Sequence, residues 1–184
     1  FGIWEIRIVS KSLLISEIKC FYLYLWHSLF TVAHYLWVAN AGGADSDITG
    51  TYINSLNIGF SSPYLATLFI TKFYSFWSYF LRFSFFTTFL VVNIIGTNGL
   101  MIIEYFHKKY SNIFPKFLKN VSSLFIWLPA LNFWTCIGKD SLMFISILLI
   151  TFSLERLNKR SYLLVPALLI ATFIRSYVTI ILVV

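Results

Sequence analysis

Long apolar runs, separated by short polar clusters, dominate the pattern of this sequence. Several runs approach the roughly 20 residues that an α-helix needs to cross a bilayer. Strands are disfavoured inside such runs because open sheet edges leave backbone groups without hydrogen bonds in lipid. We therefore predict an all-α, multi-pass transmembrane helical bundle that forms a single integral membrane domain over residues 1–184. Its five predicted spans cover residues 20–40, 83–106, 121–137, 138–154 and 162–184.

Basic residues are concentrated in two connections between these runs, at 107–120 and 155–161. Lys and Arg in short loops are retained on the cytoplasmic side of a membrane. We therefore predict that both connections are cytoplasmic, and that the acidic loop 41–63 and the tight turn 138–140 are external. Residues 1–19 mix charged and apolar side chains, which is typical of an amphipathic lead-in on the cytoplasmic side.

The segment 64–81 does not fit this alternation as an ordinary crossing. If the next span runs inward, both ends of the segment must be external. The segment is apolar but carries Lys72, and it is rich in Phe, Tyr and Trp, whose amphipathic rings favour the headgroup level. We predict an interfacial or re-entrant helix here. The alternative is a sixth crossing, which would place either the basic connection 107–120 outside or the acidic loop 41–63 inside.

Composition agrees with a membrane protein and argues against other classes. Hydrophobic residues make up 59% of the 184 residues and charged residues 11%, whereas a soluble domain has roughly 25% charged residues. The net charge of +7 does not predict a nucleic-acid partner, because the basic residues lie between apolar runs rather than on one arm with interleaved aromatics. Cys20 and Cys136 lack a CxxC or Cys/His spacing and are interpreted as packing residues.

The ends of the chain predict a fragment of a longer protein. The chain opens on Phe1 without an initiator Met and closes inside an apolar run that ends at Val184. No secretory signal peptide with a small-residue cleavage site is visible, so we expect the first long run to remain as a membrane anchor.

Charged residues inside spans are costly, so each one is a functional candidate. Arg175 lies within span 162–184, and Thr172 and Thr179 share its helical face. It can bind an anionic ligand, or it can snorkel to the headgroups or pair with a carboxylate. In the turn 138–140, Lys139 can present its ammonium to a phosphate near Arg175. Its neighbour Asp140 is predicted to cap the helix that follows.

Two further groups of polar residues are candidates. Asp45 and Asp47 follow two glycines directly after span 20–40, where flexible backbone beside carboxylates can hold a general base; a solvated turn is the alternative. His27 and His34 are seven residues apart on one face of that span, which favours hydrogen bonds between helices. His34, nearer the external end, is the better candidate for contact with substrate. No metal site is predicted, since no HExxH motif or Cys/His cluster is present.

Three other expectations concern the spans themselves. The polar stretch Gly96-Thr97-Asn98-Gly99 is expected to interrupt span 83–106. Pro129 is expected to loosen or kink span 121–137. Glu104 and Lys108 are spaced to form an i,i+4 ion pair at the cytoplasmic edge.

The order of these features is similar to that of a known group of proteins. The stretch Leu128-Pro129-Ala130-Leu131-Asn132-Phe133-Trp134 leads to Gly138-Lys139-Asp140, and Ile174-Arg175-Ser176-Tyr177 follows later. This pattern resembles bacterial multi-pass membrane proteins of polysaccharide gene clusters, namely C-type glycosyltransferases and O-antigen or exopolysaccharide polymerases. Such proteins often have Pro and His after the intramembrane Arg, where this chain has Ser176 and Tyr177. Any His-dependent chemistry that the family has at this point is therefore not carried over to this chain.

The resemblance implies a location and a reaction. Such proteins lie in the bacterial inner membrane and take a sugar from a polyprenyl phosphate or diphosphate at the external face, beside other glycan-assembly membrane proteins. It implies that Asp45 or Asp47 acts as a base and that Lys139 and Arg175 bind the lipid phosphate. Many members require a divalent metal, which this chain does not specify. We expect these side chains to converge on one external-facing cavity.

Two other functions stay open on the sequence. A transporter or flippase of a lipid-linked glycan would use Arg175 and Lys139 to line a path for an anionic headgroup, and broken helices are common in transporters. A non-catalytic membrane subunit would use the polar residues only to hold helices together.

Overall fold

The computed structural model describes residues 2–40, 52–57, 59, 61–62, 64–113, 115, 124–136 and 138–183. These residues form helices joined by short connections, and no strand is found among them. The helices are α1 Gly2–Leu13, α2 Glu17–Asn40, α3 Leu65–Ser75, α4 Phe85–Tyr110, α5 Pro129–Trp134, α6 Lys139–Leu154 and α7 Leu157–Val183, and α3 continues into a π-helical turn at Phe76–Phe80. The all-α prediction is confirmed. Residues 41–51 of the predicted external loop lie outside this description.

The helices pack around α4, which contacts both α2 and α6. α6 and α7 form an antiparallel hairpin, and α3 packs against α7. α5 lies against α2, while α1 lies against α2 and α4. Buried apolar residues fill the places where these helices meet, for example Phe89 and Val92 of α4 in one cluster with Ala167 and Ala171 of α7.

Ion pairs show how the ends of the helices are grouped. Lys19, near the start of α2, pairs with Glu104 near the end of α4. Lys109, in the last turn of α4, pairs with Glu155 in the α6–α7 connection. These three helix termini therefore form one end of the bundle, which we call the basic end. The start of α6 and Arg175 of α7 lie at the other end, which we call the Arg175 end; which end is cytoplasmic stays a prediction.

Polar side chains lie inside the bundle, and large apolar side chains lie outside it. The largest fully buried polar side chains include His27 and Thr31 on α2, Asn93 on α4 and Asn132 on α5. Largely exposed apolar side chains follow the outward faces of α2 and α7: Leu25, Leu29, Leu36, Val165 and Leu169. Soluble proteins rarely expose contiguous apolar surface of this kind, whereas polar contacts between helices are typical inside a bilayer.

Among the described residues, two helices are long and apolar enough to cross a membrane. Phe85–Tyr110 has a mean hydropathy of 1.8 and overlaps the predicted span 83–106, and Leu157–Arg175 has one of 1.2 and overlaps the first part of the predicted span 162–184. The other predicted spans differ: α2 has 24 residues but is rich in aromatic residues and His, and α6 has only 16 residues, fewer than the roughly 20 that cross a bilayer. The count of five spans stays a prediction.

The polar stretch 96–99 does not interrupt its helix, because α4 is continuous from Phe85 to Tyr110. The expected break was wrong, and the reason is close packing. A Cβ at Gly96 would lie 2.4 Å from the Thr135 carbonyl oxygen and 2.5 Å from Nε2 of His27. A Cβ at Gly99 would lie 2.5 Å from the Phe144 ring. The two glycines therefore let neighbouring parts of the same chain pack closely against α4, and they do not end the helix.

Pro129 does not kink a helix but begins one. It is the first residue of α5, and Leu128 before it has an extended backbone. Pro is favoured at this position because the first N–H of a helix has no intrahelical partner and the fixed φ of Pro suits a helix. Residues 126 and 127 form a turn and Leu128 is extended, so the described part of the predicted span 121–137 is interrupted at 126–128.

α7 is also irregular, at one residue. Arg175 has φ −147° and ψ 81°, which separates the helix before it from the helical residues after it. The predicted span 162–184 is therefore not a continuous helix. The break lies at Arg175, the one charged residue of this span.

Candidate functional site

The Arg175 end brings together residues that are far apart in sequence. The Arg175 guanidinium donates from Nη2 to Oδ1 of Asp140 at 3.1 Å. Asp140 lies in the first turn of α6, directly after Lys139, where the positive end of the helix dipole favours its negative charge. The two side chains are about half exposed, at 40% for Arg175 and 48% for Asp140. The structure thus pairs one predicted phosphate ligand, Arg175, with the carboxylate that directly follows the other, Lys139, in the chain.

The start of α6 has a geometry that only glycine adopts readily. Gly138 precedes the helix with φ 94° and ψ −168°, and it is the N-cap residue. Ser141 donates its hydroxyl back to the Gly138 carbonyl at 2.9 Å. The prediction that Asp140 caps this helix was wrong, because its position in the first turn leaves the cap to Gly138. Its carboxylate is turned to Arg175 instead.

A residue that the sequence analysis missed, Tyr74, holds this turn in place. Its hydroxyl accepts a hydrogen bond from the Gly138 backbone N–H at 2.8 Å, and the side chain is buried. Burial raises the pKa of the Tyr74 hydroxyl above its ordinary value, so the group stays neutral. Phe69, on the same helix α3, stacks on Phe173 of α7 with ring centres 5.2 Å apart. α3 therefore braces both elements that carry the Arg175–Asp140 pair.

His34 lies in the interface between α2 and α5. Its Nδ1 is 3.0 Å from the Phe133 carbonyl oxygen, and its ring stacks on the Phe133 ring with centres 4.2 Å apart. The side chain is 1% exposed. The structure thus gives His34 the interhelical role that the seven-residue spacing favours. Its predicted contact with substrate stays a prediction.

His27 lies at the centre of a buried polar seam formed by α2, α4 and α5; we call it the His27 seam. Asn132 donates its amide N–H groups to the carbonyls of Ile126 and Leu128, each at 2.9 Å. Its Oδ1 therefore faces Nδ1 of His27, 3.3 Å away, and must accept from it. Neutral His27 consequently carries its proton on Nδ1.

The seam continues from His27 onto α4. Thr31 donates to Oδ1 of Asn93 at 2.8 Å, and Asn93 donates to the Ser28 hydroxyl at 2.9 Å. Nε2 of His27 is buried and has no hydrogen-bond partner among the residues that the structure describes. The hydrogen bonds of the His27 seam connect three helices. Within the seam, the amide of Asn132 also provides donors for carbonyls of the backbone interruption at 126–128.

The basic end differs from the sequence expectation in one pair. Glu104 pairs with Lys19 instead of Lys108, and Lys108 donates to the carbonyl of Leu14 at 2.5 Å. The expected i,i+4 pair was wrong, because α1 and the start of α2 lie against this end of α4 and offer partners to both side chains.

The remaining predicted site residues, Asp45 and Asp47, lie outside the described residues. Among the described residues, no three His, Cys, Asp or Glu side chains are close enough to hold a metal ion together. Arg175 lies next to the start of α6, where Lys139 is located, and the convergence of the predicted site residues on one cavity stays a prediction.

Comparison of the chain with protein-family models, with curated proteins and with solved structures found no match in any of the three. The resemblance to polysaccharide-cluster glycosyltransferases and polymerases therefore stays a prediction, carried by the motifs of the sequence.

Proposed function

We propose that this chain belongs to a multi-pass enzyme of the bacterial inner membrane that transfers a sugar from a polyprenyl-phosphate-linked donor at the external membrane face. The observation that carries the proposal is the half-exposed Arg175–Asp140 pair beside Lys139, at the end of the bundle opposite the basic end. Cations at a membrane face that are partly accessible to solvent suit recognition of a lipid phosphate.

The proposal has five membrane spans, three more than the two helices whose length and hydropathy suffice among the described residues. Its support is the arrangement of buried polar and exposed apolar side chains, which extends to α2 and α7. The described residue Lys109 of one basic connection pairs with Glu155 of the other, which agrees with two cytoplasmic loops on the same side. An impermeant maleimide added to intact cells should label a cysteine placed at Lys139 and leave one placed at Lys159 unlabelled. The reverse pattern would invert the proposed orientation.

The chemical part assigns one role to each residue. Arg175 and Lys139 hold the donor phosphate, and Asp140 keeps the guanidinium in position when no donor is bound. The oxygen of the acceptor hydroxyl attacks the anomeric carbon, and Asp45 or Asp47 accepts the proton of that hydroxyl. The bond from that carbon to the phosphate oxygen breaks, and the electron pair leaves with the polyprenyl phosphate. The two cations stabilise the negative charge that develops there.

One observation favours a second function, transport of a lipid-linked glycan. The backbone break at Arg175 gives α7 a discontinuity at a cationic residue, and discontinuous helices are common where transporters bind anionic groups. A transporter moves its cargo without cleaving the sugar–phosphate bond, so the two functions predict different products.

The test replaces Arg175 by Leu in the full-length protein and follows glycan assembly in cells. We expect a loss of about tenfold or more at unchanged protein level, because one charge-assisted contact to the transition state is removed. Arg156→Leu is the matched control, since Arg156 is exposed and lies in the α6–α7 connection at the basic end. Unchanged glycan output would remove Arg175 from the site. Accumulation of complete lipid-linked glycan on the inner leaflet would favour the transporter.

A further inference from the structure

α3 begins and ends at the Arg175 end of the bundle. In its first half, Phe69 stacks on Phe173 of α7, and the two rings are nearly parallel, at 7°. In its last turn, Tyr74 accepts a hydrogen bond from the N–H of Gly138, directly before α6. The π-helical turn Phe76–Phe80 then leads to the first residue of α4, which lies at the same end because the last turn of α4 lies at the basic end. The segment thus stays at one end of the bundle, as a helix on a membrane surface does and a crossing helix does not.

The π-helical turn has one buried side and one exposed side. Ser78 is 4% exposed, and its hydroxyl oxygen is 2.7 Å from that of Ser55, which holds the turn from inside. On the outside, three aromatic side chains are largely exposed: Phe76 at 52%, Tyr79 at 48% and Phe80 at 77%. The rings of Phe76 and Phe80 stack with centres 6.3 Å apart. We call these three side chains the aromatic edge.

The aromatic edge lies at the level where α4 would enter a bilayer. α4 carries no charged residue before Glu104, which pairs with Lys19 at the basic end. A helix crosses a bilayer with roughly 20 residues, and that length counted back from Glu104 reaches Ser84, the N-cap of α4. The aromatic edge precedes Ser84 by a few residues. It therefore lies at headgroup level, where amphipathic aromatic rings are favoured.

Residue type and charge indicate which surface covers the aromatic edge. Residues 64–84 contain two cations, Lys72 and Arg82, and no carboxylate. Arg82 follows the aromatic edge after one residue and is exposed, with φ 53°. A guanidinium at this level reaches lipid phosphates, while the neighbouring rings stay among the upper parts of the acyl chains. The headgroup layer of a bilayer supplies both kinds of contact.

We propose that the aromatic edge, together with Arg82, docks on the headgroup layer of the leaflet at the Arg175 end, and that α3 thereby fixes the depth of the Arg175–Asp140 pair in the membrane. The inference rests on the membrane location in the proposed function and is independent of sugar transfer. α3 connects the two because it contacts Phe173 on α7 and Gly138 before α6, the two elements that carry the pair.

Nitroxide labels test the depth of the aromatic edge. The full-length protein is labelled at Phe80→Cys, Leu169→Cys or Lys159→Cys and reconstituted into phosphatidylcholine vesicles, and collisions with O₂ and with a water-soluble nickel chelate on both sides are measured. The unchanged protein gives the background from Cys20 and Cys136, which are buried. We expect the Phe80 label at about 15 Å from the bilayer centre, the boundary of a hydrocarbon core about 30 Å thick. The Leu169 label should lie deeper, and the Lys159 label in water.

Each other result has one meaning. A Phe80 label as accessible to the chelate as the Lys159 label would overturn the docking. A Phe80 label as deep as the Leu169 label would make the segment a crossing and would also overturn it. A Leu169 label in water would overturn the membrane location in the proposed function, which separates the two claims.

Matched variants test the link to the Arg175–Asp140 pair. A label at Lys139→Cys reports the depth of the start of α6. Phe76→Gln, which weakens the aromatic edge, should shift this label towards water, because a polar side chain replaces a ring that anchors α3. Leu36→Gln is the control, since Leu36 is 50% exposed, similar to Phe76, but lies on α2. Equal shifts in the two variants, or no shift in either, would contradict the role of α3 in fixing the depth of the pair.

Discussion

The two ends of this bundle use ion pairs in opposite ways. At the basic end, Glu155 is 7% exposed and is surrounded by Lys109, Arg160 and the hydroxyl of Tyr105. At the Arg175 end, the described contact of Asp140 is one guanidinium, and both side chains are about half exposed. A buried carboxylate with several hydrogen-bond and ion-pair partners, such as Glu155, fixes helices to one another. An accessible pair beside an irregular backbone can exchange one partner for a ligand, which is the difference between a structural end and a candidate site.

The largest effect should come from Glu155→Gln, which removes the charge at the centre of the basic end. Lys109 and Arg160 would then lose a buried partner, and breaking a buried pair from one side costs about 3 kcal/mol. We expect a clearly lower thermal midpoint in detergent, measured by circular dichroism. Glu17→Gln, at an exposed position on α2, is the control. A midpoint equal to that of the unchanged protein would end the view of this end as a structural clamp.

The second-largest loss of stability should come from Gly96→Ala, which alters the packing of α4 in the middle of the bundle, between the two ends. The new Cβ would meet the Thr135 backbone carbonyl and His27, neither of which can swing away, and overpacking of this kind costs about 2 kcal/mol. Gly99→Ala should cost about half as much, because its Cβ meets only the side chains of Phe144 and Leu148, which can rotate. Thermal unfolding of both variants compares the two losses of stability. A larger loss for Gly99→Ala would reverse the assignment of the tight contact.

A smaller, local effect should come from Tyr74→Phe. The Gly138 N–H would lose its acceptor, which costs about 1 kcal/mol. We expect faster hydrogen exchange at residues 138–141 with unchanged exchange around Glu155, since the bond braces only the Arg175 end. Tyr79→Phe, an exposed tyrosine of the π-helical turn, should change neither. Uniformly faster exchange at both ends would show that the two ends are not independent.

The smallest effect on stability should come from Asp140→Asn. A partly exposed ion pair contributes less than about 1 kcal/mol, so the thermal midpoint should hardly move. The comparison with Glu155→Gln is then direct, because both variants replace one carboxylate by its amide. A loss for Asp140→Asn as large as that for Glu155→Gln would make the Arg175 end structural and weaken its assignment as a site.

The sequence identified Arg175 and Lys139 because cations are rare among apolar runs and each requires a physical reason. It did not single out Tyr74, because a tyrosine in the aromatic segment 64–81 has many equivalents, and only the fold decides which hydroxyl meets a backbone N–H. The helical class followed from the long apolar runs alone.

The irregular points of the backbone could not be read from local patterns. The stretch 96–99 has the composition of a helix breaker, yet its glycines serve contacts with residues of α2, α5 and α6. The interruption at 126–128 depends on Asn132, whose amide bonds two carbonyls, and the break at Arg175 lies within a long apolar run. The residues that Gly96 and Gly99 contact are distant in sequence, so local propensity carries no information about them.

The interruption at 126–128 has a consequence for the way the protein is made. α5 has only six residues, too few to be stable alone, and carbonyls left unpaired in lipid are costly. Its partners on α2 and α4 precede it in the chain and leave the ribosome first. On the membrane location that we propose, residues 124–136 should enter the bilayer against an α2–α4 pair that has already been inserted, so that the order of synthesis is also the order of assembly.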